Sequence, residues 1–293
     1  MNVQMAYLLG MTLGNGEIHR GNTETTISID IPHKNLIDDE GREVPIYVRA
    51  SISDIRNIIE PLIGNKLTIS DNKSSGRSTI ISFSKPNEDY AMREILRLIN
   101  NGVRHSTMTM NRDLFNITKE EKRALLRGVA DVTGYIRASN IAFGQEGHHR
   151  VYIEVPGNWQ MVIDLANMLK DLDVPVQTID FGHPNFRDSN LKKYNEGKPF
   201  YWKKEHQLKI WANEFLAVGF NIAHKERALE KYAKELLAVT SPETTHKYYW
   251  EKPIKRKAKP IHPGENDESL PDSIRGKHFE SWTDLARELG YHE

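Results

Sequence analysis

The side chains best equipped to do chemistry in this chain are hydrogen-bonding groups gathered in short polar runs. In the first half these are His19, Arg20, Asn22, Thr23 and Thr25, with Arg49 and Arg77. In the second they are Arg137, Ser139, Asn140, Gln145, His148, His149 and Arg150, then Gln177, His183, Asn185 and Arg187, then Lys203 and Lys204. Amide, hydroxyl and guanidinium groups can read base edges, and an antiparallel ribbon that presents them at every second residue fits the major groove of duplex DNA. An ordinary solvated sheet would also carry such residues. Their clustering in four separate hairpin regions favours double-stranded DNA.

The elements that must position these groups come in two sets. LLGMTLGNG, Leu8 to Gly16, and LRGVADVTG, Leu126 to Gly134, repeat one helical pattern 118 residues apart, each followed by an extended stretch. Each carries glycine at its third and ninth places, so each helix has one face on which a second backbone can lie closely. The first half reads as a helix near 3 to 14, an extended stretch 17 to 31 and a second strand from Val44 to Ala50. A helix near 53 to 63, strands 66 to 70 and 77 to 83, and a helix at 88 to 100 follow. The second half repeats the order. A capping-box start at Thr118 opens a helix through Val132, strands 135 to 143 and 150 to 155 follow, and a helix runs from Trp159 to Leu172. Strands near 176 to 181 and 200 to 210 then precede helices at 212 to 218 and 223 to 238.

These two segments resemble the motif pair of single-chain LAGLIDADG homing endonucleases, and Phe215 to Lys225, FLAVGFNIAHK, looks like the closing segment of such domains. The resemblance covers roughly residues 1 to 240. It implies an α+β fold of two pseudo-symmetric α-β-β-α-β-β-α halves. They would form a DNA-binding saddle of antiparallel sheets, with the motif helices packed at the interface. It also implies sequence-specific recognition of a long, asymmetric duplex by a monomer, and Mg²⁺-dependent phosphodiester cleavage. In that family the eighth motif position is an acid on each helix. Here the two positions are Asn15 and Thr133, and a neutral amide or hydroxyl holds Mg²⁺ far less well than a carboxylate. One expectation is that Glu17 or Asp131 serves as metal ligand instead. A strand lysine would then supply positive charge to the phosphate: Lys209 foremost, with Lys203, Lys204, Lys85 and Lys66 as further candidates. The other is that Asp131 bonds backbone at its helix terminus and Glu17 stands in solvent. The chain would then be a catalytically inactive DNA-binding regulator or an RNA maturase, and RNA is a possible ligand.

Composition narrows the remaining classes. With 38% hydrophobic and 27% charged residues the chain reads as a globular protein, and no apolar run reaches the length of a membrane span. The N-terminal apolar residues suit a helix interface better than a secretory signal, so a cytoplasmic location is expected. The absence of cysteine excludes disulfides, thiolate metal sites and cysteine nucleophiles. No third ligand beside His148, His149 or His183 has zinc spacing. The net charge of zero conceals a division. Residues 265 to 293 hold eight acids against three bases, which leaves 37 bases and 32 acids, a net of +5, in residues 1 to 264. The expected domains are two motif halves, 1–112 and 113–240, a basic aromatic linker, 241–264, and an acidic appendage with one helix, 265–293. That last helix, with Ser281 as its N-cap, resembles a modular helix-turn-helix piece only in part.

Overall fold

The computed structural model describes residues 1–36, 45–64, 67–72, 77–137, 149–181, 205–239, 270–280 and 282–292. Its elements fall into two matching sets. The first is α1 (Val3–Asn15), β1 (Gly16–Arg20), β2 (Glu24–Pro32), α2 (Pro45–Ile63), β3 (Thr68–Asp71), β4 (Ser78–Pro86) and α3 (Tyr90–Leu98). The second is α4 (Lys119–Thr133), β5 (Gly134–Arg137), β6 (Arg150–Pro156), α5 (Trp159–Asp171), β7 (Thr178–Asp180) and β8 (Glu205–Trp211). After them come α6 (Ala212–Phe215), α7 (Ala223–Val239) and α8 (Trp282–Glu288). The sheets are antiparallel and four-stranded, in the orders β1-β2-β4-β3 and β5-β6-β8-β7. The fold is therefore the α+β arrangement of two α-β-β-α-β-β-α halves that the sequence led us to expect.

Two expectations about the first half are corrected. The stretch 17 to 31 is a hairpin whose strands break at residues 21–23, and the strand expected at Val44 to Ala50 is instead the start of α2. The local β-branched residues favour a strand, but buried Ile52, Ile55, Ile59 and Ile63 recur at helical spacing. That apolar stripe extends the helix back to Pro45, whose fixed φ suits a first turn. In the second half the capping box forms as expected, since Thr118 and Glu121 exchange side-chain and backbone bonds at the start of α4.

Helices α1 and α4 lie against each other at the centre. A Cβ built on Gly10 would stand 1.9 Å from the carbonyl oxygen of Leu125, and one on Gly128 would stand 2.1 Å from that of Tyr7. The third-place glycine of each motif is thus pressed onto the partner's backbone, which only a residue without Cβ permits. On the strands, Ile27, Ile29, Ile31, Ile81 and Phe83 in one sheet join this core, as do Val151, Ile153, Val155, Leu208 and Ile210 in the other. Because strand side chains alternate, the intervening residues of each strand stand on the opposite, open face of its sheet.

His206 lies on the core face of β8, fully buried, with its ring edge-on to Phe181 at 5.6 Å. Burial pushes its imidazole down to about 3. The unfolded chain therefore takes up a proton near the ordinary value of about 6.5 that the folded chain refuses, and His206 destabilises the fold as pH drops from there toward 3. Relative to the parent, His206→Leu should gain about 2 kcal/mol between pH 7 and pH 5 in paired denaturant titrations, and a constant difference would refute it.

Residues 270–280 and 282–292 pack on the second half. Leu270, Ile274, Phe279, Leu285, Ala286 and Leu289 are buried, and Asn167 of α5 bonds the carbonyl of Gly290 and the amide of His292 at 3.1 and 3.2 Å. No helix among the described residues is long and apolar enough to cross a membrane.

Candidate nucleic-acid interface

The register of the two sheets places equivalent positions side by side. Gly16 pairs with Ile29 where Gly134 pairs with Ile153. On the open face of the first sheet this brings out Glu17 and His19 from β1, Thr26 and Ser28 from β2, and Ser82 and Ser84 from β4. The same positions in the second sheet hold Tyr135 and Arg137, Arg150 and Tyr152, and Lys209 and Trp211. The first face is rich in hydroxyls, while the second is aromatic and cationic.

Several expected contact residues keep their place. His19 is exposed on β1, Arg20 donates to Asn101 Oδ1 at 3.0 Å, Asn22 and Thr23 are exposed at the tip of the β1–β2 turn, and Arg77 is exposed beside β4. Arg137 and Arg150 stand directly opposite each other across β5 and β6. Gln177 is half-buried just ahead of β7 and donates its backbone N–H to Lys209 at 2.8 Å. Three placements differ. Thr25 points into the core, 2% exposed, and donates to Asn87 Oδ1 at 2.8 Å; its neighbour Thr26 holds the open face. Arg49 belongs to α2 in the helical layer, because the strand expected there is a helix. His149 is buried and bonds Glu235 at 2.7 Å instead of facing a groove. Asn140, Gln145, Arg187, Lys203 and Lys204 lie outside the described residues, as do Lys66, Ser139, His148, His183, Asn185 and the expected N-cap Ser281.

The side chains of the expected catalytic set each have partners within the fold. Asn15 donates its amide to the backbone carbonyl of Asp30. Thr133, 3% exposed, spends its hydroxyl on the carbonyl of Val129 one turn back at 2.8 Å. Asp131 is wholly buried. It accepts from the Tyr7 hydroxyl at 2.8 Å and from the Asn221 amide at 3.2 Å, beside the Lys225 ammonium. Burial raises the Asp131 carboxyl, opposed by Lys225, and burial lowers the Lys225 ammonium, opposed by Asp131. Lys225 also donates to the carbonyls of Ala130, Asp131 and Gly134 at 2.9, 3.2 and 2.8 Å, capping the end of α4. Glu17 is a different case. It is half-exposed at the β1 edge, accepts from Arg104 Nε at 3.0 Å, and has His19 Nε2 at 3.7 Å. One of the two proposed metal ligands is thus sealed under a helix end and the other is an exposed ion pair. Lys209 pairs with Asp180 at 2.5 Å on the open face. Among the described residues no three His, Asp or Glu side chains are grouped to hold a metal.

The sequence reading missed two acids that the fold brings next to the eighth motif positions. One residue beyond the pairs Gly16–Ile29 and Gly134–Ile153 stand Asp30 on β2 and Glu154 on β6. The signal was present as ISIDIP, 27 to 32, and VYIEVP, 151 to 156, the same alternation with an acid in the same place. Asp30 Oδ2 accepts from Asn72 at 3.0 Å, and Glu154 accepts from Lys34 of the first half at 2.5 Å. Glu205, on the strand beside Glu154, is pushed above the usual carboxylate range by burial and then by the Glu154 charge, against Lys34.

No family model matches the chain, and no curated protein matches it. Among solved structures, mesophilic variants of the homing endonuclease I-DmoI align at 15% identity with a TM-score of 0.37, over 80% of this chain and 96% of theirs. The LAGLIDADG homing endonuclease I-GzeII, solved in complex with its DNA target, aligns at 8% identity with a TM-score of 0.42, over 84% and 92%. At these scores neither likeness carries a functional argument.

Proposed function

We propose that this chain is a LAGLIDADG-type protein that recognises a long double-stranded DNA site by sequence, and that its motif helices have given up the metal chemistry of their eighth positions. The observation that supports recognition is the paired open faces, in one register on both sheets, beside two motif helices in backbone contact. Such faces can enter successive stretches of major groove, and their unlike side chains suit an asymmetric target. Both motif helices belong to one chain and meet each other, which favours a monomer on DNA.

Loss of cleavage at the motif positions is supported by how their side chains are spent. Asn15 and Thr133 bond backbone carbonyls, and Asp131 is buried against Tyr7 and Lys225. These groups do not fit Mg²⁺, which relies on one or two carboxylates together with substrate phosphate oxygens. A second reading rests on one observation, the equivalent acids Asp30 and Glu154 next to those positions. It keeps divalent-metal cleavage and moves its donors one strand over.

Incubating the protein with a random duplex library, in Mg²⁺ and separately in Ca²⁺, and sequencing retained and cut fractions separates these readings. Enrichment of a long bound site without cut ends is the expected result. Its affinity should fall steeply as salt rises, because phosphate contacts release counterions. Cut ends with a fixed stagger would overturn the loss of cleavage, and their abolition by Asp30→Asn with binding retained would establish the second reading. Salt-independent or absent DNA binding would overturn recognition itself.

A further inference from the structure

We infer that Arg137 and Arg150 form a guanine-reading pair, so that the half-site under the second sheet is specified by guanine and the half-site under the first is not. This rests on the duplex-recognition reading above. The two arginines are directly opposed across β5 and β6. Like charges in that position repel, at a cost that a sheet normally avoids. Neither has a carboxylate partner among the described residues, and Arg150 Nε is buried without an acceptor there. The exposed Arg137 and the half-buried Arg150 can therefore each take an outside acceptor at the guanidinium end, whereas Arg150 Nε is sealed from solvent.

What holds the guanidinium groups is aromatic. Arg137 lies over the Tyr135 ring with its Cζ 4.4 Å from the centroid, and Arg150 lies over Trp211 at 4.5 Å. Tyr135 is itself stacked on Tyr152, with centroids 5.1 Å apart and planes 14° from parallel. These rings already carry a guanidinium or another ring on a face, so they serve as supports for arginine more than as platforms for unpaired bases. A guanidinium stacked this way keeps its planar fork of N–H groups fixed, and that fork matches the O6 and N7 acceptors of guanine in the major groove. The equivalent positions in the first sheet are His19, Thr26 and Ser84. There Thr26 Oγ1 and Ser84 Oγ are bonded to each other at 2.7 Å, which leaves hydroxyls where the second half has Arg150 on Trp211.

The test uses the full chain on duplexes selected from a random library, with fluorescence anisotropy at several salt concentrations and with circular dichroism to confirm that variants are folded. The expected result is enriched guanine within one half-site only. Arg137→Ala and Arg150→Ala should each weaken the selected duplex roughly 5- to 150-fold and relax preference at the guanine positions, while duplexes lacking those guanines lose much less. Arg150→Lys, which keeps the charge without the fork, should not restore the preference. A uniform loss on every sequence with a salt slope lower by about one would mean a phosphate contact and overturn the assignment. So would an unchanged sequence profile, or tighter binding to single strands than to duplex. A chain that binds no duplex at any salt would instead overturn the recognition reading on which the pair depends.

Discussion

Alanine at Gly128, or at Gly10, is expected to force α1 and α4 apart. The added methyl at Gly128 would sit 2.1 Å from the Tyr7 carbonyl oxygen and 2.9 Å from the Met11 amide nitrogen, and at Gly10 it would sit 1.9 Å from the Leu125 carbonyl oxygen. Those neighbours are backbone, so no rotamer change relieves the contact, and the helices must separate along the most extensively packed pair of elements among the described residues. Overpacking of this sort costs typically 1–3 kcal/mol, and here the upper end, about 3 kcal/mol or more, is expected. In a chain of this size that lowers the melting temperature by roughly 5–10 °C. Gly14→Ala provides the contrast, because its new Cβ would first meet side-chain methyls of Val132 and Thr133 at 2.8 and 3.2 Å, with the nearest backbone atom, Val129 Cα, at 3.5 Å, a lesser clash. Melting curves decide it. If Gly128→Ala melted like the parent, or Gly14→Ala proved the worse of the two, the backbone contact would not be what holds the halves together.

Lys225→Met is the second large effect. It removes the donor that satisfies three carbonyls at the end of α4 and strips the buried Asp131 carboxylate of its opposite charge. Leaving three buried carbonyls without their donor and a buried carboxylate without its compensating charge costs about 3–5 kcal/mol, because none of these groups reaches water. Asp131→Asn should be milder, since the amide oxygen can still accept from Tyr7 and from the Asn221 amide. In the double variant the penalties should be less than additive, with a coupling of about 1–3 kcal/mol. Urea titrations of the four proteins measure that coupling. DNA affinity and any metal requirement should be unchanged in Asp131→Asn, provided the protein is folded. A lost divalent-metal effect in the folded variant would return Asp131 to the role of ligand.

Much of this was written locally. Glycine at the third place of each motif and apolar residues at helical spacing are properties of the chain itself, and they make α1 and α4 helices able to touch. Alternation of apolar and polar residues along β2, β4, β6 and β8 likewise declares strands with one buried face. Where the signal was local but mixed, the longer period won. The β-branched residues at 44 to 50 gave way to the isoleucine stripe from Ile52 to Ile63. The acids Asp30 and Glu154 were also legible, as the shared pattern of ISIDIP and VYIEVP, once strands were sought as repeats in the way the helices were.

The face a residue takes could not be read so simply. A strand reverses its faces with a shift of one residue, so pairing through Gly16–Ile29 decides that Thr26 is open and Thr25 buried. The role of Asp131 was beyond local reading altogether. Its carboxylate is fixed by Tyr7, 124 residues before it, and by the Asn221 backbone amide, 90 residues after, with the Lys225 charge nearby on the adjoining carbonyls, and only the closed chain brings them together. The sequence by itself determined two halves of one order, their strands and the helices that join them, because periodicity and steric freedom act over a few residues. Tertiary structure decided which polar groups face a ligand and which are consumed in holding the halves, because burial and pairing depend on contacts between segments far apart along the chain.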